Sequence, residues 1–261
     1  MKTNFEDLTF LMPLKVDSVI RIENLLVVIR YLQRHFQTHI VVLEVGSYNN
    51  GILRKLLNRD VEYRFMEDRD PVFHRTKYRN LITKDIKTPF WAVWDVDVLV
   101  DKKQIIDTME KLRHGEADVV YPYDGKFYDT SDIIRTLYMK KPQMHILHQN
   151  RKRMNLIYGV DHKGGAFFAH ADKYRLAGME NENFYGWGEE DFERYNRWEI
   201  LGLNIHRVPG CMYHLSHPRD INGHFSSSRQ TEISKSHNMQ TRQSSHNELI
   251  KNIIGKEYGE E

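Results

Sequence analysis

Two aspartates separated by one residue follow a short apolar run. The run Trp94-Asp95-Val96-Asp97 comes directly after residues 90–93. Residues i and i+2 of a strand point to the same side, so both carboxylates can converge at its carboxyl end, where open α/β sheets bind ligands. Carboxylate oxygens suit Mg²⁺ or Mn²⁺ shared with a diphosphate. The pair therefore indicates a metal–diphosphate site, with a strand that ends in solvated aspartates as the alternative.

A tryptophan between two glycines, followed by three acidic residues, is the second candidate. Trp187 lies between Gly186 and Gly188, and residues 189–191 begin a predicted helix. Glycine lets a ligand approach the backbone closely, and an indole ring can pack against the C–H face of a sugar. Acidic residues in a first helical turn also complement the helix dipole without any ligand. The tryptophan favours a sugar-binding loop with carboxylates beside it.

Two histidines three residues apart are the third candidate. His214 and His217 could flank an ion or bind it together. Imidazole beside carboxylate moves the preferred metal from Mg²⁺ toward Mn²⁺ or another transition metal. The chain has 14 histidines, so the spacing, and not histidine as such, indicates that at least one of the two is a ligand.

An α/β scaffold is needed to position these residues. Short apolar runs alternate with helical patterns, which predicts βαβ units and a mostly parallel sheet with helices on both faces. Strands are predicted over residues 8–14, 40–45, 62–66, 89–94, 118–123 and 165–169, with a strand pair within 204–215. Helices are predicted over residues 18–33, 51–58, 71–80, 102–113, 132–141 and 189–200.

The chain is expected to form one main domain. Residues 1–221 make up this domain, with a nucleotide-binding half (1–100) and an acceptor half (101–221). Residues 222–247 are rich in serine, glutamine and histidine. We therefore expect 222–261 to be a polar flap followed by a C-terminal helix, without a second core.

Composition excludes several classes of protein. The 261 residues include 38 Lys and Arg against 36 Asp and Glu, a net charge of +2, which argues against a general nucleic-acid-binding protein. No apolar run approaches the ~20 residues that span a bilayer, and residues 1–7 do not resemble a signal peptide. The single cysteine, Cys211, excludes an internal disulfide framework and favours a reducing compartment. We expect a soluble, cytoplasmic protein.

The order of these motifs resembles the GT-A-fold glycosyltransferases. The most similar branch is the inverting one that contains the animal beta-1,4-galactosyltransferases and the bacterial chondroitin polymerases. The resemblance spans about residues 8–220, and its most specific segments are 73–80 and 184–197. The motifs that match are Asp95-x-Asp97, Gly164-Gly165, Gly186-Trp187-Gly188-x-Glu190-Asp191 and His214/His217. The resemblance implies a single-domain α/β protein with the GT-A (Rossmann-like) fold, a central, mostly parallel sheet flanked by helices.

The resemblance also implies a role for each matching residue. Donor binding is implied for Lys15, Arg21, Phe73, Arg75, Asp95, Asp97, Gly164 and Gly165. Acceptor binding is implied for Tyr185, Trp187 and Glu190, and Asp191 is the implied catalytic base beside Glu190. The metal is expected on Asp97 with His214, His217 or both, because the chondroitin-polymerase pattern selects His214 and the galactosyltransferase pattern selects His217.

The activity implied by the resemblance is inverting transfer of a sugar from a UDP-sugar to a glycan or other hydroxyl acceptor. The sugar is galactose or an N-acetylhexosamine, the cofactor is Mn²⁺ or Mg²⁺, and the context is polysaccharide biosynthesis. Glu189 replaces a glycine of the galactosyltransferases and Phe192 replaces an aspartate, so the acceptor is not inherited. A lone cysteine cannot form the disulfides of the Golgi enzymes. A bacterial-style cytoplasmic enzyme is expected, with peripheral association at the inner face of the membrane left open.

Three other hypotheses compete with this one. A sugar-nucleotide pyrophosphorylase needs a glycine-rich loop after its first strand, and residues 8–19 contain no glycine. A non-catalytic protein that binds UDP-sugars or glycans would keep the same pocket without turnover. A structural α/β domain would require four motifs to coincide in the correct order.

Overall fold

Strands and helices alternate along most of the chain. The computed structural model describes residues 1–218, 221–225 and 227–257; residues 226 and 258–261 of the predicted C-terminal segment lie outside this part. The strands are β1 (Thr3–Lys15), β2 (Phe36–Gly46), β3 (Val61–Glu67), β4 (Phe90–Trp94), β5 (Val98–Leu99), β6 (Val119–Tyr121), β7 (Phe127–Asp129), β8 (Asn155–Leu156), β9 (Ala166–His170), β10 (Ile205–Arg207) and β11 (Met212–His214). The helices are α1 (Val19–His35), α2 (Ile52–Leu56), α3 (Arg75–Ile82), α4 (Lys102–Arg113), α5 (Asp132–Lys140), α6 (Met144–Asn150), α7 (Ala171–Leu176), α8 (Glu190–Ile200), α9 (Ser228–Gln243) and α10 (His246–Glu257).

Seven strands form the large sheet, in the order β10-β6-β9-β4-β1-β2-β3. Neighbouring strands are parallel except where β9 pairs antiparallel with β4 and β6. The predicted mostly parallel sheet flanked by helices is confirmed. Because β4 lies near the centre of the sheet, Asp95 and Asp97 emerge from the middle of its carboxyl edge.

The core of the large sheet follows from its apolar strands. Every residue of β4 is buried, as expected of a strand covered on both faces. Phe10 of β1 meets Trp94 edge-on at 5.4 Å between ring centroids. On one side, Ser18 caps α1 by accepting a hydrogen bond on its hydroxyl from the Arg21 N–H, and α1 buries Leu25 and Leu32 completely. This cap fixes Arg21 in the first turn of α1.

A second, four-stranded sheet has the order β5-β11-β7-β8, and the sequence patterns do not predict it. The two strands expected within 204–215 lie in different sheets, because β10 pairs with β6 and β11 lies between β5 and β7. The chain changes sheets at Pro209-Gly210, where Gly210 has φ 122°, a conformation that favours glycine. The small sheet brings β11 next to the Asp97 loop, where the Leu215 N–H donates to the Asp97 carbonyl at 2.8 Å.

The segment predicted as a polar flap contains a long helix. Ser227 caps α9 by accepting a hydrogen bond from the Gln230 N–H at 3.1 Å. Apolar patterning did not reveal α9, because the residues that α9 buries are polar: Ser234, Asn238 and Thr241. The predicted C-terminal helix corresponds to α10. None of the helices in the described residues is both long and apolar enough to cross a bilayer.

Candidate active site

One cavity at the carboxyl edge of the large sheet gathers most of the predicted site residues. It is lined by Lys15, Arg21, Phe73, Arg75, Asp95, Asp97, Gly165, Trp187, Glu190, Asp191, His214 and His217. Gly164 lies behind Asp191, and Tyr185 turns away to donate its hydroxyl to the Asp70 carboxylate at 2.7 Å. The structure therefore brings residues from both halves of the chain to one place.

A carboxylate and two imidazoles meet on one side of this cavity. Ligand atoms of Asp97, His214 and His217 lie within 4.8 Å of one another. The shortest separations from Asp97 are 3.1 Å, from Oδ2 to His217 Nε2, and 3.7 Å, from Oδ1 to His214 Nε2. This mixed oxygen and nitrogen set suits Mn²⁺ or a similar divalent ion. The sequence left open whether His214, His217 or both would bind the metal. In the structure both rings are close enough to Asp97 to bind one ion together.

Asp129 supports the His214 ring from behind. Its Oδ1 lies 2.6 Å from His214 Nδ1, because β7 and β11 place His214 and Asp129 in register. With the proton on Nδ1, this contact leaves the Nε2 lone pair directed at the cluster, as in many metal-binding histidines. Sequence patterns missed Asp129, because the three residues of β7 are too few to show the alternation of apolar and polar side chains that marks a strand.

Loss of the Asp129 carboxylate is expected to weaken metal binding. Asp129→Asn should reduce Mn²⁺ affinity by about 10–100-fold, the usual effect of losing a hydrogen-bond partner of a ligand histidine. Asp124→Asn is the control, because Asp124 pairs with Lys126 at 2.8 Å. Calorimetric titration with Mn²⁺ measures both. Equal affinities for the two variants would contradict a role for Asp129.

Arg21 lies against the same cluster. Its Nη1 is 3.4 Å from Asp97 Oδ2 and its Nη2 is 3.4 Å from His217 Nδ1, while Asp17 holds Nε at 2.9 Å. Burial alone raises the pKa of Asp97, but His214, His217 and Arg21 outweigh it and hold the pKa well below its ordinary value. Asp97 is therefore ionised at neutral pH, as a metal ligand must be.

Asp95 lies between two arginines of α3. Its Oδ2 is 3.4 Å from Arg75 Nη1 and its Oδ1 is 3.3 Å from Arg79 Nη2. Its backbone N–H donates to the Gly165 carbonyl at 2.8 Å, which ties the Asp95 loop to the glycine pair. Nearby, the Phe73 ring stacks on Tyr78 with 5.0 Å between centroids. This side of the cavity therefore combines cations with an aromatic ring.

Asp191 lies in the first turn of α8, with one carboxylate oxygen held by two arginines and the other against the backbone of Gly164. Its Oδ1 accepts from Arg79 at 3.0 Å and from Arg194 at 2.8 Å. Its Oδ2 faces Gly164, where any Cβ would collide with it. Burial raises the pKa of Asp191, but Arg194 and Arg79 outweigh burial and lower the pKa below its ordinary value. The carboxylate is therefore charged at neutral pH.

Glu190 differs from its neighbour. It is 3% exposed, and its Oε2 accepts from the Gly188 N–H at 2.8 Å. Burial and the adjacent Asp191 charge raise the pKa of Glu190, although Arg75 and Arg79 partly offset them. Two adjacent carboxyl groups with pKa values moved in opposite directions are a frequent feature of active sites.

A buried ion network behind Asp191 escaped the sequence analysis. Glu180 accepts from Arg194 Nη1 at 2.9 and 3.0 Å and lies 3.5 Å from Arg79. Arg79 follows Arg75 by four residues on α3, and Arg194 follows Asp191 by three on α8, so helical spacing could have identified both. Glu180 lies in a loop, where no spacing rule points to it.

An aromatic wall also escaped prediction. His162 packs against Phe127 at 4.9 Å and against Tyr158 at 4.7 Å between ring centroids. Phe127 and Tyr158 are 6.2 Å apart, and Tyr158 lies 6.3 Å from Trp187. Burial lowers the pKa of His162 to about 4, so its ring is neutral at pH 7. Stacked uncharged rings beside Trp187 form a surface on which a sugar can pack.

Helix α9 holds the tryptophan loop. Gln230 Nε2 donates to the carbonyls of Tyr185 and Trp187 at 2.9 and 3.2 Å. Glu189, which stands where the galactosyltransferases have glycine, has φ 69°, and its Oε2 accepts from Asn238 at 2.7 Å. The hydrogen bond offsets part of the strain of a left-handed non-glycine residue.

Removal of the Asn238 amide is expected to destabilise the fold. Asn238 also accepts from Asn196 Nδ2 at 2.9 Å, so Asn238→Ala loses two hydrogen bonds and should lower the free energy of unfolding by about 2 kcal/mol. Met239→Ala is the control, because Met239 is 60% exposed on the same helix. Urea denaturation compares them, and equal midpoints would show that α9 does not stabilise the loop in this way.

Two comparisons, with a family model and with solved structures, relate the chain to known proteins. A family model described as the N-terminal domain of galactosyltransferase matches residues 152–219, which include the glycine pair, the tryptophan loop and both histidines. The catalytic domain of Drosophila beta-1,4-galactosyltransferase 7, solved with xylobiose, superposes with a TM-score of 0.52 at 16% identity, over 89% of this chain and 79% of that one. The chain has the GT-A glycosyltransferase fold.

A second GT-A structure supports the same conclusion. Glucosyl-3-phosphoglycerate synthase from Mycobacterium tuberculosis, solved with Mn²⁺, UDP and phosphoglyceric acid, gives a TM-score of 0.52 at 14% identity, over 90% of this chain and 78% of that one. A search of curated protein sequences found no match. The predicted resemblance to GT-A glycosyltransferases is confirmed at the level of the fold.

Proposed function

We propose that this GT-A glycosyltransferase transfers a sugar from a UDP-sugar to a hydroxyl acceptor, with a divalent metal and with inversion. One observation carries the proposal: the Asp97–His214–His217 cluster and the Glu190–Asp191 pair line the same cavity. A metal ion with a diphosphate and a general base are the two components that such a transfer requires, and the cavity has candidates for both.

Asp97, His214 and His217 would hold Mn²⁺, or Mg²⁺, against the diphosphate. When bound, the ion neutralises negative charge on the departing UDP. Arg21 and Arg75 line the cavity on the metal and Asp95 sides and provide further positive charge. A neighbouring GT-A structure solved with Mn²⁺ and UDP supports this assignment.

Asp191 is the proposed base. Arg79 and Arg194 fix Oδ1, so Oδ2 remains to accept the proton of the acceptor hydroxyl as that oxygen attacks the anomeric carbon. The bond to the UDP oxygen breaks through an oxocarbenium-like transition state. Since no enzyme nucleophile is needed, an α-linked donor gives a β-linked product.

Other predicted residues receive supporting roles. Phe73 is proposed to stack on the uracil, and Trp187 to contact the acceptor. Lys15 fixes the loop before α3 by donating to the Pro71 carbonyl at 2.9 Å. Glu190 is proposed to bind the acceptor, and Tyr185 to support the same loop. The glycine pair leaves room for Asp191 and the donor sugar. The enzyme is proposed to work in a reducing, cytoplasmic compartment, in keeping with its free, buried Cys211.

The donor is proposed to be UDP-galactose or a UDP-N-acetylhexosamine, and the acceptor a glycan. The test measures UDP release from these donors and UDP-glucuronate, with Mn²⁺ and then with EDTA. Slow hydrolysis of one donor that EDTA abolishes is the expected result. No UDP release with any donor or any added glycan would favour a non-catalytic binding protein. Formation of UTP when pyrophosphate is added would favour a pyrophosphorylase.

A further inference from the structure

A surface on the small-sheet side of the molecule carries five exposed cations. Residues 133–160 contain six Lys and Arg and no Asp or Glu. Arg135 is buried and pairs with Glu23 at 2.6 Å, whereas the other five are exposed. We call these five the basic face: Lys140, Lys141, Arg151, Lys152 and Arg153.

The basic face gathers five cations that have no carboxylate partner among the described residues. Within the part of the chain that the structure describes, none of its five cations lies within 4.0 Å of a carboxylate oxygen. By contrast, Lys103 pairs with Asp107 at 2.7 Å and Lys111 pairs with Glu116 at 3.1 Å. An unpaired cluster of five cations favours an anionic partner.

Large aliphatic side chains are exposed among these cations. Ile133 is 74% exposed, Leu137 45% and Leu156 41%. On α5, Ile133 and Leu137 are one turn apart and Lys140 continues the same side of the helix, while Lys141 follows directly as the C-cap residue. Exposed aliphatic side chains beside lysines are typical of a surface that lies in the headgroup region of a bilayer.

The elements that present the basic face are continuous. α5 packs against α6, and α6 contacts the 3₁₀ turn Arg151–Arg153, which leads into β8. β8 is an edge strand of the small sheet. Two residues after β8, Tyr158 lines the active-site cavity. The face therefore extends from α5 to the rim of the cavity.

We propose that the basic face and its aliphatic side chains bind an anionic membrane surface. The cations would lie at acidic lipid headgroups while Ile133 and Leu137 enter the boundary with the acyl chains. An acidic polysaccharide would engage the cations but gives no reason for three exposed aliphatic side chains among them. The proposal does not depend on the donor, the acceptor or the catalytic base.

Vesicle sedimentation tests the proposal with the full chain. Wild-type protein should sediment with phosphatidylcholine vesicles that contain phosphatidylglycerol, should not sediment with phosphatidylcholine alone, and should be released by 1 M salt, where the Debye length is about 3 Å. Arg151→Gln/Lys152→Gln/Arg153→Gln should bind about 100-fold more weakly, since each basic residue near such a surface is worth about a fivefold change. Lys103→Gln/Lys111→Gln/Lys173→Gln, which removes the same charge from paired lysines, should bind like wild type.

The aliphatic side chains are tested separately. Ile133→Ser/Leu137→Ser should weaken vesicle binding, whereas Ile233→Ser/Met239→Ser, which changes two exposed apolar side chains on α9, should not. Circular dichroism verifies that each variant is folded. Failure of the wild type to bind anionic vesicles, or equal binding by the basic-face variant and its lysine control, would overturn the proposal. Binding to soluble heparin without vesicle binding would also overturn it and would favour an acidic glycan.

Discussion

Asp191→Asn is expected to lower kcat by about 10²–10⁴-fold, the usual contribution of a positioned general base. The amide keeps the size and much of the hydrogen bonding of the carboxylate but cannot accept the proton of the acceptor hydroxyl. Arg79 and Arg194 retain Glu180 as a buried anionic partner, so the variant should fold. Steady-state transfer at saturating donor and acceptor measures kcat, and UDP–Mn²⁺ affinity should be unchanged.

Glu180→Gln is the matched control for this variant. Glu180 contacts the same two arginines but lies behind Asp191, where it is 3% exposed. Removing one partner of a buried ion pair costs about 3–5 kcal/mol, so Glu180→Gln should lower the melting temperature more than Asp191→Asn does while most of kcat remains. Wild-type kcat in Asp191→Asn would exclude Asp191 as the base.

Asp97→Ala is expected to reduce metal-dependent UDP release to background. Asp97 is the only carboxylate of the three-residue cluster, so its loss leaves two imidazoles and the positive charge of Arg21 around the ion. We expect weaker Mn²⁺ binding together with a poorly placed diphosphate. UDP release at saturating Mn²⁺ and donor measures the effect.

Asp107→Ala serves as the control for Asp97→Ala, because Asp107 pairs with Lys103 at 2.7 Å on α4 and does not line the cavity. It should retain wild-type UDP release. Wild-type release by Asp97→Ala, still abolished by EDTA, would mean that the metal is bound elsewhere.

The large sheet could be predicted because its main strands are apolar runs that are too short to be read as helices. The strand before Asp95 is buried on both faces, so its pattern is continuous and its end is marked by the first aspartate. Trp187 and Asp191 belong to one compact motif, which is why the sequence proposed them as candidates. Their meeting in one cavity follows from the position of β4 and α8 at the same edge of the sheet.

The missed residues depend on contacts distant in sequence. Asp129 faces His214 across 85 positions because two three-residue strands pair, and no local pattern encodes that register. Glu180 lies in a loop and gains its importance from Arg79 and Arg194. Helix α9 packs against α8 through amide and hydroxyl side chains. Its polar composition led to the prediction of a flap, although these polar residues form the buried side of the helix.

The most direct test of the site is the melting temperature of the wild-type protein with Mn²⁺, with UDP and with both. A ligand that binds only the folded state raises its stability, and an ion shared between the protein and the diphosphate makes each ligand strengthen the binding of the other. We predict that the shift with both ligands exceeds the sum of the separate shifts, and that Asp97→Ala loses this excess. No shift with Mn²⁺ and UDP together would contradict a metal–UDP site at Asp97, His214 and His217.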